Sequence, residues 1–232
     1  MTLPVLILRP EPGASATLAA ARGAGLAAHA FPLFEVRPLP WEPVPPADVD
    51  ALLLGSANAL RRGGGALALY RGMPAYCVGE TTAQAARAAG LDVVAAGRGG
   101  LQSLLGALAP GHRRLLRLAG RERTVLAVPP GVEVVTREVY ASEPVPPPPG
   151  LVALLARPAL ALLHSGEAAA RLAHVCDEAG TGRAAIRLAA IGPRVAQRAG
   201  GGWADLRCAE IPDDAALLAL AVRMCQEAGS GY

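Results

Sequence analysis

The chain repeats itself, and a repeat restricts a fold more than any single motif does. Glu42-Pro43-Val44-Pro45-Pro46 returns as Glu143-Pro144-Val145-Pro146-Pro147. Each copy is followed by an apolar run, a small-residue turn holding a serine (Gly55-Ser56-Ala57, then His164-Ser165-Gly166) and a helix-like stretch. A second apolar run then closes on glycine, at Val78-Gly79 and at Ile191-Gly192. Upstream of each copy an apolar run ends in arginine, at Leu8-Arg9 and at Leu116-Arg117. A repeat of this length predicts two similar half-molecules with equivalent loops, and a cleft between them as the place to look for function.

The 232 residues suffice for two domains, each large enough to bury a core. Hydrophobic residues make up 52% and aromatic residues only 3%, so the core must be built mainly from Ala, Leu and Val. All 22 basic residues are arginine and the only asparagine is Asn58, a bias that weakens any argument from arginine content alone. The formal charge of +3 permits an acidic ligand, and no basic block with interleaved aromatics points to nucleic acid. Cys77, Cys176, Cys208 and Cys225 lack metal-site spacing and read as buried thiols in a reducing compartment. No basic leader with a cleavage site opens the chain, and no apolar stretch is long enough to span a bilayer. The expectation is a cytoplasmic protein without membrane contact.

Short apolar runs at Leu3–Leu8, Ala51–Leu54, Ala75–Val78 and Leu91–Ala95 alternate with helical stretches, and the second half follows the same order. There the strands are predicted at Arg114–Leu118, Val132–Tyr140, Ala159–Leu163, Leu188–Ile191 and Asp205–Ala209. Helices are predicted at Glu167–Glu178, Arg194–Ala199 and Asp213–Glu227, with a shortened one at Arg121–Leu126. Such alternation gives an α/β fold of parallel sheets covered on both faces. Ligands of these sheets bind at the carboxyl ends of the strands, where the Ser, Gly and Arg positions of the repeat fall.

Four pieces can carry chemistry. At Gly55-Ser56-Ala57-Asn58 a strand turns into a helix, which suits a carboxylate or phosphate; Ser56 or Asn58 serving as an ordinary helix cap is the plainer alternative. Val78-Gly79-Glu80-Thr81-Thr82 repeats the arrangement with hydroxyls, again with an N-cap as the alternative. The strand-end pair Arg9 and Arg117 can each grip a carboxylate by a forked pair of hydrogen bonds, or lie solvated on the surface. Tyr140 closes an extended run beside a proline joint, where it either packs or offers a proton. The histidines form no constellation, and no metal spacing, P-loop or Ser/His/Asp signature is present. Gly97–Gly100 is glycine-rich without the flanks of a dinucleotide loop.

Taken in order, Leu8-Arg9-Pro10, the extended Pro32–Val36, Gly55–Leu60 (GSANAL), Val78–Ala83 (VGETTA), Leu116–Gly120, Val139-Tyr140, His164-Ser165 and Ile191-Gly192-Pro193 resemble the uroporphyrinogen-III synthase family over essentially the whole chain. The resemblance implies two similar Rossmann- or flavodoxin-like domains joined by two extended connectors, here Pro32–Leu39 and Arg137–Pro144. One domain would join residues 1–36 to 141–232, and the other would be 37–140. The family cyclises hydroxymethylbilane, a linear tetrapyrrole with acidic arms, to uroporphyrinogen III, losing water and inverting the last ring through a spiro intermediate, with no metal or organic cofactor. Carried over, Ser56, Ala57, Asn58, Gly79, Thr82, Ser165, Gly166 and Gly192 become substrate-binding candidates, beside Arg9, Arg117 and Gly120. Tyr140 matches the tyrosine that assists departure of the hydroxyl. The resemblance also implies a monomer in transient contact with the preceding enzyme of the pathway. Two departures stand out: His164 replaces a threonine, and Val195 replaces another. A non-catalytic binder or sensor of an acidic ligand remains the alternative from a different class. An α/β enzyme acting on a phosphorylated ligand is a third.

Overall fold

The computed structural model describes residues 3–97 and 100–229. The chain divides into two compact units, Met1–Glu35 with Pro144–Tyr232, and Val36–Glu143. The first unit holds a five-stranded sheet of β1 (Val5–Ile7), β2 (Ala28–Ala30), β9 (Ala159–Leu163), β10 (Ile186–Ala190) and β11 (Asp205–Cys208), ordered β2-β1-β9-β10-β11 and parallel throughout. The second holds β3 (Phe34–Pro38), β4 (Ala51–Leu54), β5 (Pro74–Val78), β6 (Asp92–Gly97), β7 (Arg114–Gly120) and β8 (Glu133–Pro144), ordered β3-β8-β7-β4-β5-β6.

These two orders are one order. If β7 and β8 are counted first, the second sheet reads 2-1-3-4-5, as the first does, with β3 added outside β8. That is a doubly wound sheet, whose direction of winding reverses between β1 and β9 in the first unit and between β7 and β4 in the second. Each unit therefore takes its opening strand pair from one copy of the repeat and its remaining three strands from the other. The repeat boundary and the unit boundary do not coincide, and the chain passes between units along β3 and at the end of β8.

The sequence explains the parallel sheets. The central strands β1 (VLI), β4 (ALLL) and β9 (ALALL) are buried at every position, as strands covered on both faces must be. Alternate residues feed opposite layers. In the first unit Leu6, Ala161, Leu163 and Leu188 pack under α6 (Gly166–Glu178), while Val5, Ile7, Leu160 and Leu162 pack under α1 (Gly13–Gly23) and α8 (Asp214–Gly229). In the second, Leu52, Leu54, Cys77 and Leu116 meet α2 (Ala57–Arg62) and α3 (Glu80–Ala88). Its other face, with Ala51, Leu53, Tyr76 and Leu115, is covered by α4 (Leu101–Leu105) together with Leu108 and Leu126.

Three expectations need correction. The short helix at Arg121–Leu126 is absent; residues 121–132 run without helix or strand. Pro129, Pro130 and Gly131 close the segment, and the Gln102 side chain pairs with it as a strand would. Its amide nitrogen donates to the Ala127 carbonyl and its oxygen accepts from the Ala127 amide, both at 2.9 Å. Conversely, the second proline joint runs into a helix that was not expected, α5 (Pro149–Leu155), where Pro149 takes the first helical position and so loses no hydrogen bond. The remaining helix, α7 (Pro193–Ala199), lies at its expected place with one residue more at its start.

The third correction concerns register. Ile7 lies opposite Leu162, and Arg117 lies opposite Leu53. Since β9 and β4 run into matching turns, Leu163-His164-Ser165 and Leu54-Gly55-Ser56, Arg117 occupies the place of Ile7. The counterpart of Arg9 is Ala119. The two arginines are not equivalent strand-end residues: Arg9 stands just past its strand, and Arg117 is two positions back, inside β7. Of the glycine-rich stretch 97–100, residues 98 and 99 lie outside the described residues.

Candidate functional site

In the second unit a cavity of about 250 Å³ opens where the winding reverses. Its wall includes Gly55 and Ser56 after β4, Val78 at the end of β5, Gly100 and Leu101 at the start of α4, and Arg117 to Gly120 of β7. Glu122, Arg123, Thr124 and Tyr140 complete it. Four candidates thus converge: Ser56, Arg117, Gly120 and Tyr140. Glu122, Arg123 and Thr124 escaped sequence reasoning because their segment was expected to be a helix; Gly100 and Leu101 carried no chemical signal.

Arg117 dominates the electrostatics. It is 6% exposed, the only charged residue among the buried ones described. One terminal nitrogen donates to the Thr124 carbonyl at 3.0 Å, while its buried Nε has no partner. No carboxylate pairs with it among the described residues. Burial depresses its affinity for the proton, and the positive charge of Arg123 adds to this. Arg123 itself is engaged, donating to Glu138 at 2.6 Å. Tyr140 lies with its ring against Gly120, where an added Cβ would stand 2.7 Å from Cε2 and 3.0 Å from the hydroxyl oxygen. Glycine here is required by close approach of the ring. The register irregularity of β7 and β8 between Ala119 and Gly120 sets Tyr140 opposite Gly120.

The remaining candidates of this unit, Ala57, Asn58, Gly79 and Thr82, are not among the wall residues. Ser56 caps α2, its hydroxyl accepting from the Asn58 amide at 3.2 Å, so the plainer alternative holds for it as well. Ala57 is buried beneath that helix, and Thr82 is buried on α3. Gly79 holds φ +76° before α3, a conformation that favours glycine, and no side chain caps that helix.

In the first unit the corresponding position is filled. Asp214, the first residue of α8, accepts from Arg9 at 3.0 Å and from the Thr17 hydroxyl at 2.7 Å, and bonds to His164 Nε2 at 2.7 Å. Burial works to raise the Asp214 carboxyl, but the bonds from His164 and Thr17, with the charges of His164 and Arg9, outweigh it and hold the group below its ordinary value. Arg9 thus has an internal partner. Ser165 caps α6 through the Ala168 amide at 3.1 Å, Gly166 lies against the Arg198 side chain, and Gly192 precedes α7 without a side-chain cap.

Among the described residues no group of three or more His, Cys, Asp or Glu side chains could hold a metal, and no helix is long and apolar enough to cross a membrane. In a doubly wound α/β sheet the ligand crevice lies at the carboxyl ends of the strands where the winding reverses, and in the second unit that place holds a buried arginine with no carboxylate partner among the described residues. Residues 15–219 match the family model of uroporphyrinogen-III synthase HemD. The chain belongs to the uroporphyrinogen-III synthase family, enzymes that cyclise hydroxymethylbilane. Solved structures agree on the fold. The Helicobacter pylori uroporphyrinogen-III synthetase superposes with a TM-score of 0.65 at 16% identity, covering 97% of this chain and 100% of that one. A mutant uroporphyrinogen III synthase from the extremely thermophilic bacterium Thermus thermophilus gives 0.53 at 18% identity, covering 97% and 99%. No curated protein sequence matches significantly.

Proposed function

We propose that the second-unit cavity is where this chain acts on the hydroxymethylbilane that its family cyclises, and that Tyr140 is its proton donor. The observation that carries the reading is Tyr140 in the cavity wall, its ring in close contact with Gly120, in the same wall as Arg117, which has no carboxylate partner among the described residues. In hydroxymethylbilane the pyrrole nitrogen can expel the hydroxyl once that oxygen takes a proton. The Tyr140 phenol supplies it, water leaves, and a ring carbon then attacks the cationic methylene. The decisive step is geometric: attack from the substituted carbon gives the spiro intermediate, the older bond from that carbon to the neighbouring methylene then breaks, and that methylene recloses on the free ring carbon, whose proton returns to the phenolate and leaves the ring inverted. A site that folds the bilane into that contact converts a choice between two ring carbons into one outcome. Fixed dipoles and the Arg117 charge hold the acidic arms without reorganising during the reaction. Backbone amides at the uncapped start of α3 are a further place for a carboxylate.

The test is the isomer produced. Purified protein supplied with hydroxymethylbilane should give type III uroporphyrinogen, resolved from type I by chromatography after oxidation. Folded protein that leaves only the spontaneous type I product defeats this reading. The non-catalytic binder is not favoured, because membership in this family is membership among enzymes. The reading carries with it a cytoplasmic monomer that receives substrate from the preceding enzyme; sedimentation of the purified chain measures the first part of that.

A further inference from the structure

The two units differ at one place in a way that exposes what the cavity takes. The matching turns make Gly55 the counterpart of His164, and the shared strand order makes α4 the counterpart of α8, so Leu101 stands where Asp214 does. Contacts support the match: Asp214 bonds to His164 at 2.7 Å, and Leu101 Cδ1 lies 3.0 Å from where a Cβ on Gly55 would be. In the first unit an imidazole and a carboxylate fill the space, and the carboxylate neutralises Arg9. In the second, glycine and leucine supply neither the imidazole nor the carboxylate, and Leu101 packs against Gly55. What remains is the 250 Å³ cavity with Arg117 among its wall residues, 6% exposed and with its buried Nε unpartnered. Arg117 comes from two residues further back than Arg9, a one-pleat shift along the same strand face, and still lines the space beside Leu101.

We infer that this cavity binds a single carboxylate-bearing pyrrole ring of the substrate, its carboxylate pairing with Arg117 as Asp214 pairs with Arg9 inside the first unit. The inference rests on the proposed site and deepens it. The cavity lies below the range of about 300–1,000 Å³ that takes a whole drug-sized ligand, so it holds one ring of a tetrapyrrole and not the chain. A buried cation without a counter-charge is a cost to folding that a ligand carboxylate removes. Burial and Arg123 already destabilise the Arg117 charge, which strengthens the demand for an anion.

The probe is porphobilinogen, a monopyrrole carrying one acetate and one propionate arm, titrated against the full chain by NMR. The wild-type protein should bind it. Arg117→Gln should weaken binding by about tenfold to a hundredfold, the loss of one charge-assisted hydrogen-bonded pair, without lowering the melting temperature. Leu101→Asp should weaken it similarly while raising the melting temperature, because it supplies the carboxylate that the first unit already has. The dimethyl ester should bind wild type no better than it binds Arg117→Gln. Equal affinity in wild type and the two variants, an ester that binds as tightly as the diacid, or no binding to wild type overturns the inference. If Arg117→Gln does not fold, Leu101→Asp decides. The isomer assay is independent: a chain that makes only type I product yet binds the diacid through Arg117 refutes the proposed function and leaves this site standing.

Discussion

Gly120 is where residue-scale reasoning is tightest. An added methyl would enter the Tyr140 ring at 2.7 Å, so Gly120→Ala must displace the aromatic side chain or shift two strands. Overpacking of this kind costs about 1–3 kcal/mol. Gly120→Ala should therefore lower both stability and turnover, while Tyr140→Phe keeps the packing and lowers turnover at least tenfold at unchanged melting temperature. Steady-state kinetics and a thermal melt on the two variants separate packing from proton donation; equal turnover in Tyr140→Phe removes the donor role. Asp214 gives a pH prediction. Its carboxyl is held below the ordinary value of 3.8 by His164, Thr17 and Arg9 despite burial. The folded chain thus binds fewer protons there than the unfolded chain. The stabilisation is present above about pH 4 and is lost as pH falls through the folded value. Melting temperature measured from neutral pH down to about pH 3 should show this acid limb, and Asp214→Asn should flatten it at the expense of stability at pH 7.

At the scale of elements, caps and covers decide the outcome. Ser165 opens α6, a helix of 13 residues whose Ala169, Leu172, Val175 and Cys176 form the first-unit core. Removing the hydroxyl leaves the Ala168 amide without its acceptor, so Ser165→Ala should destabilise by about 1 kcal/mol, measured by urea titration. The doubled proline joint shows how identical sequence acquires different structure. The first copy is pinned by Tyr70, whose hydroxyl donates to the Val44 carbonyl at 2.7 Å and accepts from the Val44 amide at 2.9 Å. The second is tied by the Val145 amide to the Leu33 carbonyl and then enters α5. Strand positions were legible because continuous apolar runs bounded by turns have few alternatives. The missing helix after Gly120 was not legible. Its residues have no strong breaker before Pro129, and the Gln102 bracket that holds the segment extended comes from another element.

On the scale of the whole molecule, the chain repeat and the folded unit are offset. Residues 36–143 form one unit continuously, while the half-chain ending near His112 contains two strands of one sheet and the β3–β6 part of the other. A fragment covering Val36–Glu143 should fold cooperatively on its own. A fragment of residues 1–112 should not, because β4 lacks its neighbour β7 and β1 lacks β9, which leaves two buried sheet edges open. Circular dichroism and urea melts of the two fragments check this; a cooperative transition in the half-chain would show that the repeat is itself a folding unit.

Patterns running along the chain were enough for the α/β class, the parallel sheets, the duplication and the family, since all four depend on apolar period, turn residues and motifs in order. The same patterns marked Ser56, Arg117, Gly120 and Tyr140, four residues that meet at one cavity. They could not say that Arg9 is neutralised and Arg117 is not, because the deciding residue, Asp214, is 205 positions from Arg9 and reaches it only through the sheet. Nor could they correct the apparent pairing of the two arginines, which are matched in sequence pattern but differ by two residues in strand register. Charge compensation and register are properties of neighbours in space. It took the folded arrangement to settle that one unit carries its own carboxylate and the other has a leucine at the matching place.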